Sequence, residues 1–321
     1  MGIVNVTPDS FSDGGRYLDP EAAIAHAHRL VEEGADLLDI GAESSRPGAD
    51  AVVSAEEEVR RLLPVLQGLH DAPIPVSVDT VKPDVMRAAL REGASMINDI
   101  GALRAPGALE AVAASDAGVC LMHMQGEPRS MQQAPRYTDV VSEVKDFLAQ
   151  RVAVAHAHGI ARERIVIDPG FGFGKTADHN FQLLRNLRAL TELGLPVMAG
   201  WSRKSTLGRL TGKPATERLA ASVAAALLAV ERGARIVRVH DVAATRDALA
   251  VLGRGAVGVG LGVVGVGQSR PDRHHALGVE TQWRVQQVPE TAQQQAGRHH
   301  QHQRKRELRH HQRAACAHQL L

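Results

Sequence analysis

Polar residues of chemically useful types recur just past a series of short apolar runs. They are Asn5, then Asp39 and Glu43, Asp79, Asn98-Asp99, His123, Asp168, Ser202-Arg203-Lys204 and His240-Asp241. Any single one could be a helix cap, because Asp, Asn and Ser are favoured there. Eight in phase, mixing acids, amides and bases, point instead to a site for a polar ligand. Arg238 and His240 stand two apart on one run, so their side chains share a face of an extended strand. One motif tempts a nucleotide reading, Gly170-Phe171-Gly172-Phe173-Gly174-Lys175-Thr176. It misses the phosphate-loop pattern, because Pro169 stands five before Gly174, and its third glycine comes one residue early for a dinucleotide fingerprint. It reads as a strand-to-loop turn whose backbone approaches a ligand, which glycine permits.

These residues need elements to hold them. Strands are predicted at Ile3–Val6, Leu37–Ile40, Val76–Val78, Met96–Ile97, Val119–Met122, Ile165–Ile167, Val197–Ala199 and Ile236–Val239. Helices are predicted near 20–33, 55–69, 82–92, 106–115, 138–158, 178–192, 215–232 and 243–252. The first carries Ile24, Ala27, Leu30 and Val31 at helical spacing. Eight strands alternating with eight helices imply a parallel sheet, and eight such units match a closed (β/α)8 TIM barrel of class α/β. Active sites of that fold lie at the C-terminal ends of the strands, where the polar series falls.

The pattern stops near residue 252. Residues 253–321 begin with alternating Gly and Val and continue with Gln, His and Arg, including half of the 16 histidines. Too few large apolar side chains remain there to offset chain entropy, so this tail is predicted to be disordered. Its composition also fits translation of a shifted reading frame. The expected organisation is a catalytic domain over 1–252 and a low-complexity tail over 253–321. The tail carries 10 Lys/Arg against 4 Asp/Glu, a net +6, which leaves −5 on residues 1–252 within a total of +1. That balance suggests neither nucleic acid nor membrane as a partner. The longest charge-free apolar stretch, Gly255–Gly267, is too short to span a bilayer. Met1 leads straight into Gly2-Ile3-Val4-Asn5-Val6 without a secretory leader. Two cysteines, Cys120 and Cys316, give neither a disulfide framework nor a metal pattern, so a reducing cytoplasm is expected.

The segment from Met1 to Gly15, with Asn5-Val-Thr-Pro-Asp-Ser-Phe-Ser-Asp-Gly, closely resembles the first signature of the dihydropteroate synthases. The others follow in family order: Asp39-Ile-Gly-Ala-Glu-Ser-Ser-Arg-Pro-Gly48, Ser77-Val-Asp-Thr80, Ile97-Asn-Asp-Ile100, Ile167-Asp-Pro-Gly-Phe-Gly-Phe-Gly-Lys175, Gly200-Trp-Ser-Arg-Lys-Ser205 and Arg238-Val-His-Asp241. The resemblance covers about residues 1–252. It implies joining of a dihydropterin diphosphate to 4-aminobenzoate in folate synthesis, with Mg2+ as cofactor and small molecules as partners. It also implies roles. Asp79, Asn98 and Asp168 read the pterin edge, since a flat heterocycle with N–H edges needs buried acceptors. Lys204 reaches the pterin and lies near aminobenzoate. Ser45, Arg238, Val239 and His240 hold the pterin diphosphate, with Arg238 also able to stack on the ring. Ser45, Arg46, Pro47, Phe173, Lys204 and Ser205 form the aminobenzoate pocket. Asn5 offers a neutral oxygen to Mg2+.

Three departures stand against the resemblance. Ser45 replaces the usual threonine, keeping the hydroxyl and losing a methyl worth about 1 kcal/mol. The last helix lacks its usual ending, and the segment usually preceding the first strand is missing, as in a truncated start. Two alternatives follow. One is a non-catalytic pterin-binding protein impaired by its altered ends. The other is a methyltetrahydrofolate–corrinoid methyltransferase, which shares the barrel and the pterin acids but needs neither signature loop. Oligomeric state stays open, with a homodimer as one reading.

Overall fold

Side chains along each apolar run alternate between two environments, as the two-residue period of a strand requires. In the computed structural model, which describes residues 1–6, 20–43, 53–127 and 130–255, this alternation separates two hydrophobic clusters. Val4, Leu38, Ile40, Val78, Ile97, Val119, Leu121, Ile165, Ile167 and Val197 face outward and pack under the helices. Leu37, Met96, Cys120 and Met198, with Val166 and Ile236, form a separate apolar plug inside the sheet.

The strands are β1 (Gly2–Asn5), β2 (Leu38–Gly41), β3 (Val76–Asp79), β4 (Met96–Asp99), β5 (Gly118–Met122), β6 (Ile165–Asp168), β7 (Val197–Ala199) and β8 (Ala234–Val237). They pair in parallel in sequence order. The sheet then closes on itself: the Ile3 N–H donates to the Val239 carbonyl at 3.0 Å and the Val239 N–H to the Met1 carbonyl at 3.0 Å. Among the described strands closure leaves no free edge, and the fold is the expected (β/α)8 barrel. β8 begins and ends two residues earlier than expected, because the ladder breaks at Arg238 before Val239 resumes it.

The helices are α1 (Pro20–Glu32), α2 (Ala55–Gly68), α3 (Pro83–Arg91), α4 (Ala108–Ala113), α5 (Val140–Ala157), α6 (Ala177–Arg185), α7 (Arg188–Thr191), α8 (Ser205–Thr211), α9 (Leu219–Glu231) and α10 (Val242–Gly255). Local chemistry sets several starts. Ser54 caps α2 by accepting the Glu57 N–H at 3.2 Å, and Glu56, Glu57 and Glu58 complement the positive end of its dipole. Thr176 and His179 form a reciprocal capping box on α6.

Four expectations are corrected. The single helix over 178–192 is two; the first ends at Asn186, whose side chain and backbone N–H both donate to the Gln182 carbonyl, at 2.9 and 3.1 Å. The helix over 215–232 is divided at Arg218, whose guanidinium takes the Lys213 and Arg203 carbonyls; a short 3-10 turn precedes it and α9 follows. α8 was not expected; it is seven residues long and contains Gly208, too short and interrupted to show an amphipathic period. α10 continues to Gly255, past the expected boundary at 252. The rest of the tail, 256–321, lies outside the described residues.

Candidate active site

Above the apolar plug the barrel interior turns polar. Asp39, Asp79, Asn98 and Asp168 occupy inward-facing positions near the ends of β2, β3, β4 and β6, and Arg238 follows β8; Asp39 stands one inward position below Gly41, the partner of Asp79. The sequence-based trio Asp79, Asn98 and Asp168 is therefore brought to the same end of the barrel interior. At its centre stands a residue that sequence reasoning placed at a strand end without giving it a role. Asp39, with no solvent exposure, accepts at Oδ2 from Arg238 Nε at 2.6 Å and from Asn98 Nδ2 at 3.1 Å. Arg238 Nη2 donates to Asp79 Oδ2 at 2.9 Å. Both arms of the guanidinium thus hold carboxylates, which fixes its plane across the barrel mouth. Burial opposes the Arg238 charge, but Asp39 and Asp79 overcome it and raise its pKa. Asp79 moves upward as well, because burial and the like charge of Asp39 outweigh Arg238. Asp39 Oδ1 has no hydrogen-bond partner among the described residues, so the layer keeps a buried acceptor for a donor from elsewhere.

Asp168 accepts the Gly170 N–H at 2.6 Å through Oδ1. Burial raises its pKa to about 6, against the Gly170 hydrogen bond and the Lys204 charge. The loop beyond it turns through Gly170, Gly172 and Gly174, with φ of +66°, +83° and +61°. A side chain at Gly170 or Gly174 would run into the carbonyls of His123 and Gln125, which explains the glycine spacing without a nucleotide. This loop presents Phe173, whose ring lies 4.2 Å beneath the Lys204 ammonium. Phe173 belongs to an apolar patch with Met122, Met124 and Met131. A cation above an aromatic face beside apolar walls suits an anionic aromatic ligand.

The loop is pinned from below by Lys175. Its buried ammonium reaches the carbonyls of Gly170 at 3.0 Å, Phe173 at 2.9 Å and His123 at 3.3 Å, and His123 Nδ1 at 2.9 Å. Burial pulls the Lys175 pKa down to about 7, with Asp168 opposing and Lys204 adding. His123 packs on Tyr137 and Phe147, away from the polar layer, and burial with the Lys175 charge lowers its pKa to about 3. It is a neutral structural acceptor. Asp99 is also structural: it faces away from Asn98 and accepts the N–H groups of Gly101 and Leu103 at 2.6 and 2.7 Å. Glu43 pairs with Lys82, which also pairs with the fully buried Glu58, each at 2.5 Å.

His240 sits beside the mouth, its Nδ1 2.9 Å from Ser202 Oγ. Val239 is buried and faces outward with the core. Asn5 is half-buried at the end of β1. Ser205 is exposed at the start of α8, one residue after Lys204. Ser45, Arg46 and Pro47 lie outside the described residues. Among the described residues no cluster of three His, Cys, Asp or Glu could cage a metal. No described helix is long and apolar enough to cross a membrane.

A closed barrel with buried acceptors at its mouth defines a binder of a flat, donor-bearing ring. Residues 1–240 match the family described as pterin binding enzyme. The dihydropteroate synthase of Neisseria meningitidis serogroup B is 55% identical over 258 residues, covering 78% of this chain and 90% of the relative. Dihydropteroate synthase of Xanthomonas albilineans, solved with 4-aminobenzoic acid, is 57% identical with a TM-score of 0.75, covering 80% of this chain and 92% of that one. The same enzyme in complex with 7,8-dihydropteroate gives 55% identity and a TM-score of 0.72, over 80% and 93% of the two chains. The chain belongs to the pterin-binding enzymes, and within them to the dihydropteroate synthases.

Lys175→Met should remove the donor shared by three loop carbonyls and lower unfolding free energy by about 2–3 kcal/mol in urea titration. The pH dependence has a defined sign. Because the folded pKa lies near 7 and the unfolded one near 10.5, the unfolded chain binds more protons between them. Wild-type stability should therefore rise over that window by an increment the methionine variant lacks.

Proposed function

We propose that the chain condenses (7,8-dihydropterin-6-yl)methyl diphosphate with 4-aminobenzoate, giving 7,8-dihydropteroate and diphosphate for tetrahydrofolate biosynthesis. The observation that carries this reading is the layer of buried acceptors beside Lys204 stacked over Phe173. The amine nitrogen attacks the methylene carbon, the C–O bond breaks with its electron pair going to diphosphate, and the amine gives up a proton to solvent.

Asp79, Asn98 and Asp168 would accept from the pterin edge, whose donors would be costly to bury unpaired. The guanidinium of Arg238, held flat by Asp39 and Asp79, is suited to stack on the ring. Lys204 would serve the pterin on one side and, with Phe173, Ser205 and the Ser45-Arg46-Pro47 loop, the aminobenzoate on the other. His240 would donate to the diphosphate as negative charge grows there, with Ser45 assigned to the same subsite; Val239, whose side chain packs in the outer core, would serve only by holding its neighbours Arg238 and His240 in place. Asn5 would offer Mg2+ one neutral hard oxygen ligand at the strand end. When bound, that ion would offset diphosphate charge.

The catalytic unit is proposed to end with α10, and the segment beyond it to lack a role in turnover. A cytoplasmic location goes with this function; the buried free thiol of Cys120 fits a reducing compartment. We also propose a homodimer through α8 and α9, where Leu210, Leu219 and Leu228 are exposed.

Diphosphate release by the purified chain tests the activity directly. His240→Ala should lose about 10²–10³-fold in turnover with little change in affinity for a pterin lacking the diphosphate, because its interaction strengthens in the transition state. Asp168→Asn should lose pterin affinity first, since its amide puts a donor where an acceptor is required. Calorimetry should show wild-type pterin affinity falling as pH drops through about 6, where Asp168 protonates, and the asparagine variant should lack that step. Sedimentation should show a dimer that Leu219→Glu converts to monomer.

A further inference from the structure

The loop after β7 and the segment that follows β8 are joined by two adjacent pairs. Ser202 meets His240, and Arg203 meets Asp241 through Nη2–Oδ1 at 2.6 Å and Nε–Oδ2 at 3.2 Å. The loop is held tightly for this. Arg203 has a φ of +59°, its N–H donates to Ser222 Oγ at 3.0 Å, and its carbonyl accepts from Arg218 Nη1 at 3.0 Å. Nothing in the reaction so far uses Ser202, yet it is 7% exposed and lies against a residue assigned to the leaving group.

Its hydroxyl has one proton and two lone pairs. One lone pair is taken by the His240 backbone N–H, which donates to Ser202 Oγ at 3.2 Å. The remaining contact is with His240 Nδ1 at 2.9 Å. If the neutral ring carries its proton on Nε2, the Ser202 proton goes to Nδ1 and every group in this small network is satisfied. If the proton sits on Nδ1, the Ser202 proton has no acceptor among the described residues. A buried hydroxyl proton left unpaired is costly. When the ring is charged, Nδ1–H donates into the second lone pair of Ser202, and the hydroxyl proton is again left without an acceptor among the described residues. The serine thus favours the neutral Nε2–H form, which presents a donor at Nε2, over the neutral form that presents a lone pair there. A lone pair aimed at diphosphate oxygen would repel it.

We propose that Ser202 is a positioning residue that holds His240 in the Nε2–H form, so that the imidazole meets the departing diphosphate as a hydrogen-bond donor. The second half rests on the assignment of His240 to the diphosphate made above; the first half does not.

The test uses the full chain with 15N-labelled histidine, its His240 signals identified by their loss in His240→Ala. In the ligand-free wild type above the ring's titration, Nδ1 should show the shift of an unprotonated nitrogen and Nε2 that of a protonated one. This measurement needs no variant. A ring protonated at Nδ1 overturns the proposal outright. Ser202→Ala should give mixed or reversed tautomers and lower kcat roughly three- to tenfold, the worth of one net hydrogen bond. Its affinity for a pterin lacking diphosphate should match wild type, which also shows that the variant is folded. Ser202→Thr keeps the hydroxyl and should restore both the tautomer and the rate. Wild-type shifts and wild-type kcat in Ser202→Ala overturn the proposal. Should the Nε2–H form be seen while His240→Ala keeps full turnover, the diphosphate assignment fails, and the catalytic half falls for that separate reason.

Discussion

A carboxylate with no access to water sits in the middle of the barrel, and its pairing constrains much of what surrounds it. Asp39 accepts from Arg238 Nε at 2.6 Å, and Asn98 adds a neutral donor to the same oxygen at 3.1 Å. Breaking such a buried pair by removing one partner costs about 3–5 kcal/mol, because the other charge stays behind. The three residues come from β2, from β4 and from the break after β8, and Asp79 brings in β3. The pair therefore acts across the closure of the sheet. It also requires the closure: only when Val239 bonds to Met1 and Ile3 does Arg238 stand opposite Asp39.

The layer below makes the pairing worthwhile. Leu37, Met96, Cys120 and Met198 fill the barrel bottom and exclude water from beneath the charges. Water exclusion strengthens each charge interaction and raises the cost of any unpaired one. Asp79 and Asp168 show the result, both displaced upward by burial toward the neutral form. Acceptors so placed bind donors of a matching ring far better than they would at a surface, and they discriminate against a ring lacking those donors.

Outside the barrel the same physics is applied to loops. Lys175 is a buried cation surrounded by backbone carbonyls and a neutral His123, with Asp168 as its opposing charge. It converts a glycine-rich turn, otherwise costly to order, into a platform for Phe173. Ser202 and Arg203 tie the next loop to His240 and Asp241 in a similar manner. The lysine above Phe173 and the histidine at the mouth are thus carried on segments fixed by side chains that need never touch substrate.

The sequence by itself determined the architecture and most of the cast. Short apolar runs, helical spacing between them and in-phase polar ends are local properties, so the eight units and the barrel were legible without coordinates. Motif resemblance then singled out Asp79, Asn98 and Asp168 and supplied the expected chemistry. Tertiary structure alone decided which of two adjacent polar residues faces the ligand. Asn98 turns in while Asp99 caps the Gly101–Leu103 turn, and His123 turns out to hold Lys175. It also decided that Asp39 is the hub and that Arg238 spends both arms on carboxylates. The reason is physical. Pairing of charges 199 residues apart in the chain depends on the closure and stagger of the sheet, and no local pattern encodes which strand will stand opposite which. The same holds for the break between α6 and α7, where the Asn186 side chain and backbone N–H both bond the Gln182 carbonyl at the end of a helix that spacing alone would have continued.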